Sequence, residues 1–290
     1  MPGAKRRAAK AAVAAAGAAK RRTTTSAQRE LQGAPSYNAG RPTRPGPQAS
    51  ALPGTQPLPK RNAKNELVFA DHPELRPNLT PAQVLQLGSF GGTYFRPIDS
   101  GTTGKRESDA WKEFPKEWFA GLDIKKCARH SPALTVVAAA LCLRLVLWCR
   151  ELTAAAAPRR QVTRSMSSYD PSVNKFGVKC GGSLDMWETS GWISALDPYG
   201  WFQWYCRFYL GRRSTDDERQ IARALGVMGP KGRFRNQLIG KCSAAGAAFD
   251  DPTISPVIRQ SLQHWGYHLT QADADAYCRK KSIRPLPRKD

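Results

Sequence analysis

The chain has 290 residues, with 45 lysines and arginines against 23 acids, a formal charge of +22. A hydrophobic content of 41%, with eight tryptophans, excludes a wholly disordered chain. No collagen-like glycine period, long heptad run or short repeat is present, which excludes fibrous and solenoid classes.

Residues 1–64 hold 13 basic residues and a single acid, Glu30. Ala, Thr, Ser, Gly and Pro dominate this stretch, and Tyr37 is its one aromatic. Such a segment buries too little apolar surface to offset its ordering entropy, so it is expected to be a disordered basic arm. The prolines of 42–59 make that part a linker. Lys5-Arg6-Arg7 and Lys20-Arg21-Arg22 suit a split nuclear localisation patch. The lack of acids before Glu30 also suits a chloroplast or mitochondrial transit segment, the alternative to the nucleus.

A single globular domain is expected over 65–285. Leu67-Val68-Phe69 is its first dense apolar group. Thr80 and Pro81 form a cap and first-turn signature for a short helix through AQVLQL, stopped by Gly88. Gly91 and Gly92 permit a tight turn, and Thr93-Tyr94-Phe95 favours a strand, giving a small strand element around 91–98. Ser108 or Asp109 would cap a short helix with Trp111 and Phe114, and Pro115 disfavours its continuation to Trp118. The apolar run 132–149 approaches the length of a membrane span, but Arg144 interrupts it. A buried helix fits better, and no membrane span is expected.

Asp197 suits an N-cap, Pro198 a first helical position and Gly211 the residue past a helix end. Between them YGWFQWYCRFYL reads as a largely buried helix, with a strand as the alternative because aromatics favour strands. Ser214 and Asp217 have capping-box spacing for a second helix. Asp216, Asp217 and Glu218 fill its first turn, Ile221, Ala224 and Leu225 form its stripe, and Gly226 is its expected end. A third helix starts at Ser255-Pro256 and carries Val257, Ile258, Leu262 and Trp265. A fourth is capped by Thr270 with Asp273 and ends at Arg279-Lys280-Lys281. The fold class is mainly α, with α+β as the alternative through the small strand element.

The blocks FGGTYFRPI (90–98), SGWISALDPYGWFQWYCRFYLGRR (190–213) and SPVIRQSLQHWGY (255–267) resemble segments of an uncharacterised family of predicted fungal and algal proteins. The resemblance covers 65–269 and implies no activity. In that family EFPKEWFAGLD would lead almost directly into YDPSVNKFGVKCG. The intervening 125–167 therefore reads as an insertion or a gene-model artefact.

The leading candidate site is basic and aromatic. Arg207, Arg212 and Arg213 lie near Trp201, Trp204 and Tyr205 in sequence, and Arg219, Arg223, Lys231, Arg233 and Arg235 follow. Guanidinium groups grip phosphates as a fork, and exposed rings stack on bases. Arg219 and Arg223 are four apart, on one helical face. GPKGRFR (229–235) places three basic residues around two glycines and permits a helix-turn-helix reading without matching a strict motif. The competing reading puts the aromatics in the core and pairs the arginines with Asp197, Asp216, Asp217 and Glu218.

Other chemistries are poorly supported. No Walker loop, GxGxxG or GxSxG pattern occurs, so no cofactor is expected. Seven cysteines without a CxxC pair suit a reducing compartment and buried thiols. His72, His130, His264 and His268 lack enough nearby ligands for zinc and read as packing or boundary residues. Asp185, Glu188 and Asp197 around Trp187 and Trp192 would serve a hydrolytic carboxylate site only at defined separations in space. The sequence therefore points to an intracellular nucleic-acid-associated binding module with RNA or DNA as partner. A protein–protein scaffold with an exposed aromatic patch is the alternative, and a hydrolytic enzyme comes third.

Overall fold

The computed structural model describes residues 56–120, 122 and 169–288. The expected arm as far as residue 55, the stretch 125–167 and its apolar run lie outside the described residues. The protein is mainly helical, with two small antiparallel sheets. Among the described residues no helix is long and apolar enough to cross a membrane.

Ordered structure begins before the expected boundary at residue 65. Strand β1 (Lys60–Arg61) pairs antiparallel with β2 (Leu67–Val68). The Arg61 guanidinium donates to the carbonyls of Asn65 and Asn78 and to Gln83 Oε1. These bonds draw residues 60–64 into the domain. Helix α1 (Pro81–Gln86) has the expected start, with a complete capping box. Thr80 Oγ1 accepts from Gln83 N, and Gln83 Oε1 accepts from Thr80 N.

The strand expected around 91–98 is instead a 3₁₀ turn at Phe90–Gly92. Phe90, Gly91 and Gly92 have φ of 55°, 56° and 74°, and three consecutive left-handed residues curl the chain out of an extended path. A Cβ on Gly91 would lie 2.6 Å from the Tyr169 ring, so glycine is required by contact as well as by φ. Pairing starts only at β3 (Ile98–Ser100), antiparallel to β4 (Lys105–Glu107). Trp111 lies in the first of two successive 3₁₀ turns, Ala110–Glu113 and Lys116–Phe119, and Phe114 and Pro115 separate the two. Asp109 sits at the first turn in the left-handed region and makes no capping bond with its side chain.

Two further helices lead into the C-terminal region. The sequence reading did not anticipate α2 (Leu184–Thr189), which is capped by Ser183 Oγ. Helix α3 (Trp201–Tyr209) is the centre of the core. Trp201, Phe202, Trp204, Tyr205, Cys206 and Phe208 are all buried. Burying such side chains contributes about 1.5–3 kcal/mol each, which outweighs the strand preference of aromatics. Its end is as expected. Gly211 has φ of 96°, its N–H reaches Phe208 O, and Arg212 N reaches Arg207 O, a complete Schellman motif. Its start differs from expectation. The helix begins at Trp201 after Gly200, and Asp197 is a buried ion-pair partner rather than a cap.

Helix α4 (Asp217–Met228) runs past exposed Gly226 and stops at Gly229, because Met228 still packs into the core. The expected capping box is half formed. The Asp217 carboxylate accepts from Ser214 N and Oγ and from Trp204 Nε1. A four-residue turn then leads to α5 (Arg233–Ala245), which buries Leu238, Ile239 and Cys242. Helix α6 (Pro256–His264) follows as expected, although Ser255 makes no side-chain cap. Helix α7 (Gln271–Lys281) is capped by Thr270 Oγ1 on Asp273 N.

The blocks 90–98 and 255–267 meet at the 3₁₀ turn. Gln260 and Gln263 both donate to Gly88 O, and His264 Nε2 accepts from Phe90 N. Asn174 Oδ1 accepts from Gly91 N. This polar helix face is buried because it satisfies a loop whose own residues cannot pair in a sheet. Cys180, Cys206, Cys242 and Cys278 are buried free thiols, as expected of the described cysteines. Burial pushes the Cys180 thiol up to about 12, which rules it out as a ready nucleophile.

Candidate nucleic-acid interface

The aromatic half of the candidate site lies inside the molecule. Trp201, Trp204 and Tyr205 are core residues, with the Trp201 ring stacked on Tyr205 and tilted against Trp204, so they present no ring for a base.

Most of the arginines have partners within the chain. Asp197 is fully buried and takes Arg207 Nη1 at 3.0 Å and Arg212 Nη2 at 2.6 Å. Burial pushes the Asp197 carboxyl upward, and the Arg212 and Arg207 charges pull it back. Arg207 also pairs with Glu113 at 2.6 Å. Arg213 pairs with Asp71 at 2.7 Å and lies 3.9 Å above the Phe208 ring. That guanidinium holds the Asp71 carboxyl below its usual range. Arg219 Nη2 meets Asp216 at 2.7 Å, and Arg235 meets Asp273 at 2.6 Å.

Arg223 has no carboxylate partner among the described residues. Its guanidinium lies 5.6 Å from both the Trp192 and Trp265 rings and donates to Trp192 O and Gln220 Oε1. Burial lowers it to about 10, with the Arg219 charge acting in the same direction. Arg207, Arg212, Arg213, Arg219, Arg223 and Arg235 are thus engaged by the groups just named. The expected pairings with Asp197 and Asp216 occur. Asp71, Glu113 and Asp273 complete the set, and their distance in sequence hides them from inspection.

Lys231 and Arg233 differ from these in exposure. Both are exposed, at the turn Gly229-Pro230-Lys231-Gly232 and the first residue of α5. Gly232 places no side chain over the helix start, and α5 contains no acid. Along its outer side, Arg233, Gln237 and Lys241 are spaced by four residues, so they share one face. Gly240 lies on that side, and a Cβ there would meet nothing within 4 Å. The spacing of Gln237 and Lys241 was visible in the sequence, but without a known extent for α5 it carried no weight.

The carboxylate trio does not converge. Asp197 is held by two arginines, Glu188 accepts from Gly101 N and Ser100 Oγ at the β3–β4 turn, and Asp185 is exposed. Among the described residues no three His, Cys, Asp or Glu side chains gather as metal ligands. Burial lowers His264 to about 3, so it is a neutral acceptor.

Comparison of the chain with protein-family models, curated proteins and solved structures found no match. Fold and site together define a mainly helical domain with a basic helical hairpin, α4–turn–α5, on its surface.

Proposed function

We propose that the protein is a nucleic-acid-associated binding module whose folded contact is α5 and the turn before it. The supporting observation is the acid-free face of α5, with Arg233, Gln237 and Lys241 in line behind exposed Lys231. A helix start attracts phosphate through its N–H groups and dipole, and Arg and Lys strengthen that attraction. Gly240 leaves room for close backbone approach. The two helices and their short turn have the order of a helix-turn-helix, in which the second helix enters a groove. The basic arm adds non-specific affinity and encounter rate.

The test compares the full chain with its Lys231→Ala/Arg233→Ala/Lys241→Ala variant on duplex DNA and single-stranded RNA over a salt series. The arm is present in both proteins, so its contribution cancels. Loss of three phosphate contacts lowers the salt slope on duplex DNA by about 2–3. Equal affinity and slope in a variant of unchanged melting temperature would remove α5 from the interface.

A second reading rests on Trp192, which is 37% exposed and backed by Arg223 and Trp265. An exposed indole over a guanidinium is an anchor of the kind that protein interfaces use. A nuclease-resistant partner lost on Trp192→Ala would favour a scaffold.

A further inference from the structure

The end of α7 and the turn after it carry a charged patch that the α5 face does not include. Residues 276–288 hold five cations and no acid. Arg279, Lys280, Lys281 and Arg284 are exposed, and none of them forms an ion pair among the described residues. The two acids of α7, Asp273 and Asp275, stand nearer its start and face other groups. Asp273 pairs with Arg235 at 2.6 Å and accepts from the Tyr267 hydroxyl. Asp275 accepts from Gln271 Nε2 and lies 3.6 Å from Arg288.

The chain is held in place here. Ser282 has φ of 53° and ends α7 in a Schellman motif, in which Ser282 N reaches Arg279 O and Ile283 N reaches Cys278 O. Further on, Leu286 sits in the core at 4% exposure, between Pro285 and Pro287. Fixed at both ends, the turn keeps Ile283 at the surface. At 37% it is an exposed large hydrophobic side chain, with Lys281 before it and Arg284 directly after it. Cations at a helix end complement its dipole, but an exposed aliphatic side chain gains nothing from that field.

An aliphatic side chain beside cations on a fixed turn matches the chemistry of an anionic bilayer surface. Lysine and arginine gain from anionic headgroups, and an apolar side chain gains from entering the boundary between headgroups and acyl chains. A phosphate backbone would engage the cations and leave Ile283 in water. We propose that the end of α7 docks on an anionic lipid surface, with Ile283 at the headgroup boundary and Lys280, Lys281 and Arg284 on the headgroups. The site is separate from the α5 face and does not depend on the nucleic-acid reading.

The experiment is sedimentation of the full chain with vesicles of phosphatidylcholine and phosphatidylserine, about four to one, in about 0.15 M salt. Vesicles of phosphatidylcholine alone and duplex DNA are parallel arms. The basic N-terminal arm is common to every protein compared. Binding to the anionic vesicles and not to the neutral ones is expected. Lys280→Gln/Lys281→Gln/Arg284→Gln should weaken vesicle binding about tenfold or more. Ile283→Ser should weaken it about fivefold and leave DNA affinity unchanged, and Ile283→Leu should bind as wild type does. No preference for the anionic vesicles overturns the proposal. Unchanged vesicle binding in the triple variant or in Ile283→Ser also overturns it. A DNA affinity that falls with Ile283→Ser would assign the turn to nucleic acid and has the same consequence. The melting temperature checks each fold, and should Ile283→Ser lower it, Ile283→Thr takes its place under the same criterion.

Discussion

The hydroxyl of Tyr94 accepts a hydrogen bond from the backbone N–H of Gln203 at 2.9 Å. It donates in turn to Tyr199 O at 2.6 Å. Gly200, at the N-cap position of α3, has no side chain to satisfy the first N–H groups. Tyr94 supplies that missing cap from 109 residues away. Tyr94→Phe keeps the ring packing and removes both bonds. It should destabilise the protein by about 1–2 kcal/mol, read as a lower urea midpoint at unchanged slope. A midpoint equal to wild type would show that α3 needs no such cap.

Asp197 is the shared counter-ion of Arg207 and Arg212. Asp197→Asn removes the charge and leaves Arg212 buried without compensation. The expected loss is about 3–5 kcal/mol in denaturant unfolding. A loss under about 1 kcal/mol would mean that Glu113 and solvent suffice for both guanidinium groups.

Gly91 is required on two grounds, its φ of 56° and the Tyr169 ring at 2.6 Å from a Cβ. Gly91→Ala should therefore destabilise the protein by about 1–3 kcal/mol. Gly104→Ala is the control, because it has positive φ but open space around its Cβ. Equal effects from the two substitutions would remove the ring contact as a cause.

Acid should weaken the fold before the carboxylates titrate. His264 and His268 are both lowered to about 3, chiefly by burial, whereas the unfolded chain binds their protons near 6.5. Their stabilisation is fully present above pH 6.5 and is lost as the pH falls from there toward 3. Each contributes a slope of up to about 1.4 kcal/mol per pH unit within that window. His264→Gln keeps an acceptor for Phe90 N and should roughly halve the steepness between pH 6.5 and 5. Identical pH profiles for wild type and variant would contradict a buried neutral imidazole.

Much of the fold could be read from the sequence where the signal is local. The Thr80 and Thr270 caps bond to residues three positions on, and Gly211 closes α3 as its position suggests. Asp197 shows the limit. Its place before Pro198 looks like a cap, but two arginines ten and fifteen residues later capture the carboxylate. Tyr94 and Phe95 look like strand residues, yet the curl at 90–92 turns them into the core. For the site, the eight basic residues are equivalent in sequence and unlike in space. Lys231 and Arg233 are exposed, whereas Arg212 and Arg235 are drawn inward beside Asp197 and Asp273.

The sequence by itself determined the mainly helical class, the basic excess and several helix ends, because propensity, charge and caps act over a few residues. Tertiary structure alone decided which cations face water, that Ile283 stands exposed at the end of α7, and that a tyrosine caps α3. Burial and ion pairing depend on partners remote in sequence, such as Arg213 and Asp71, which are 142 residues apart, and only the folded chain places such partners together.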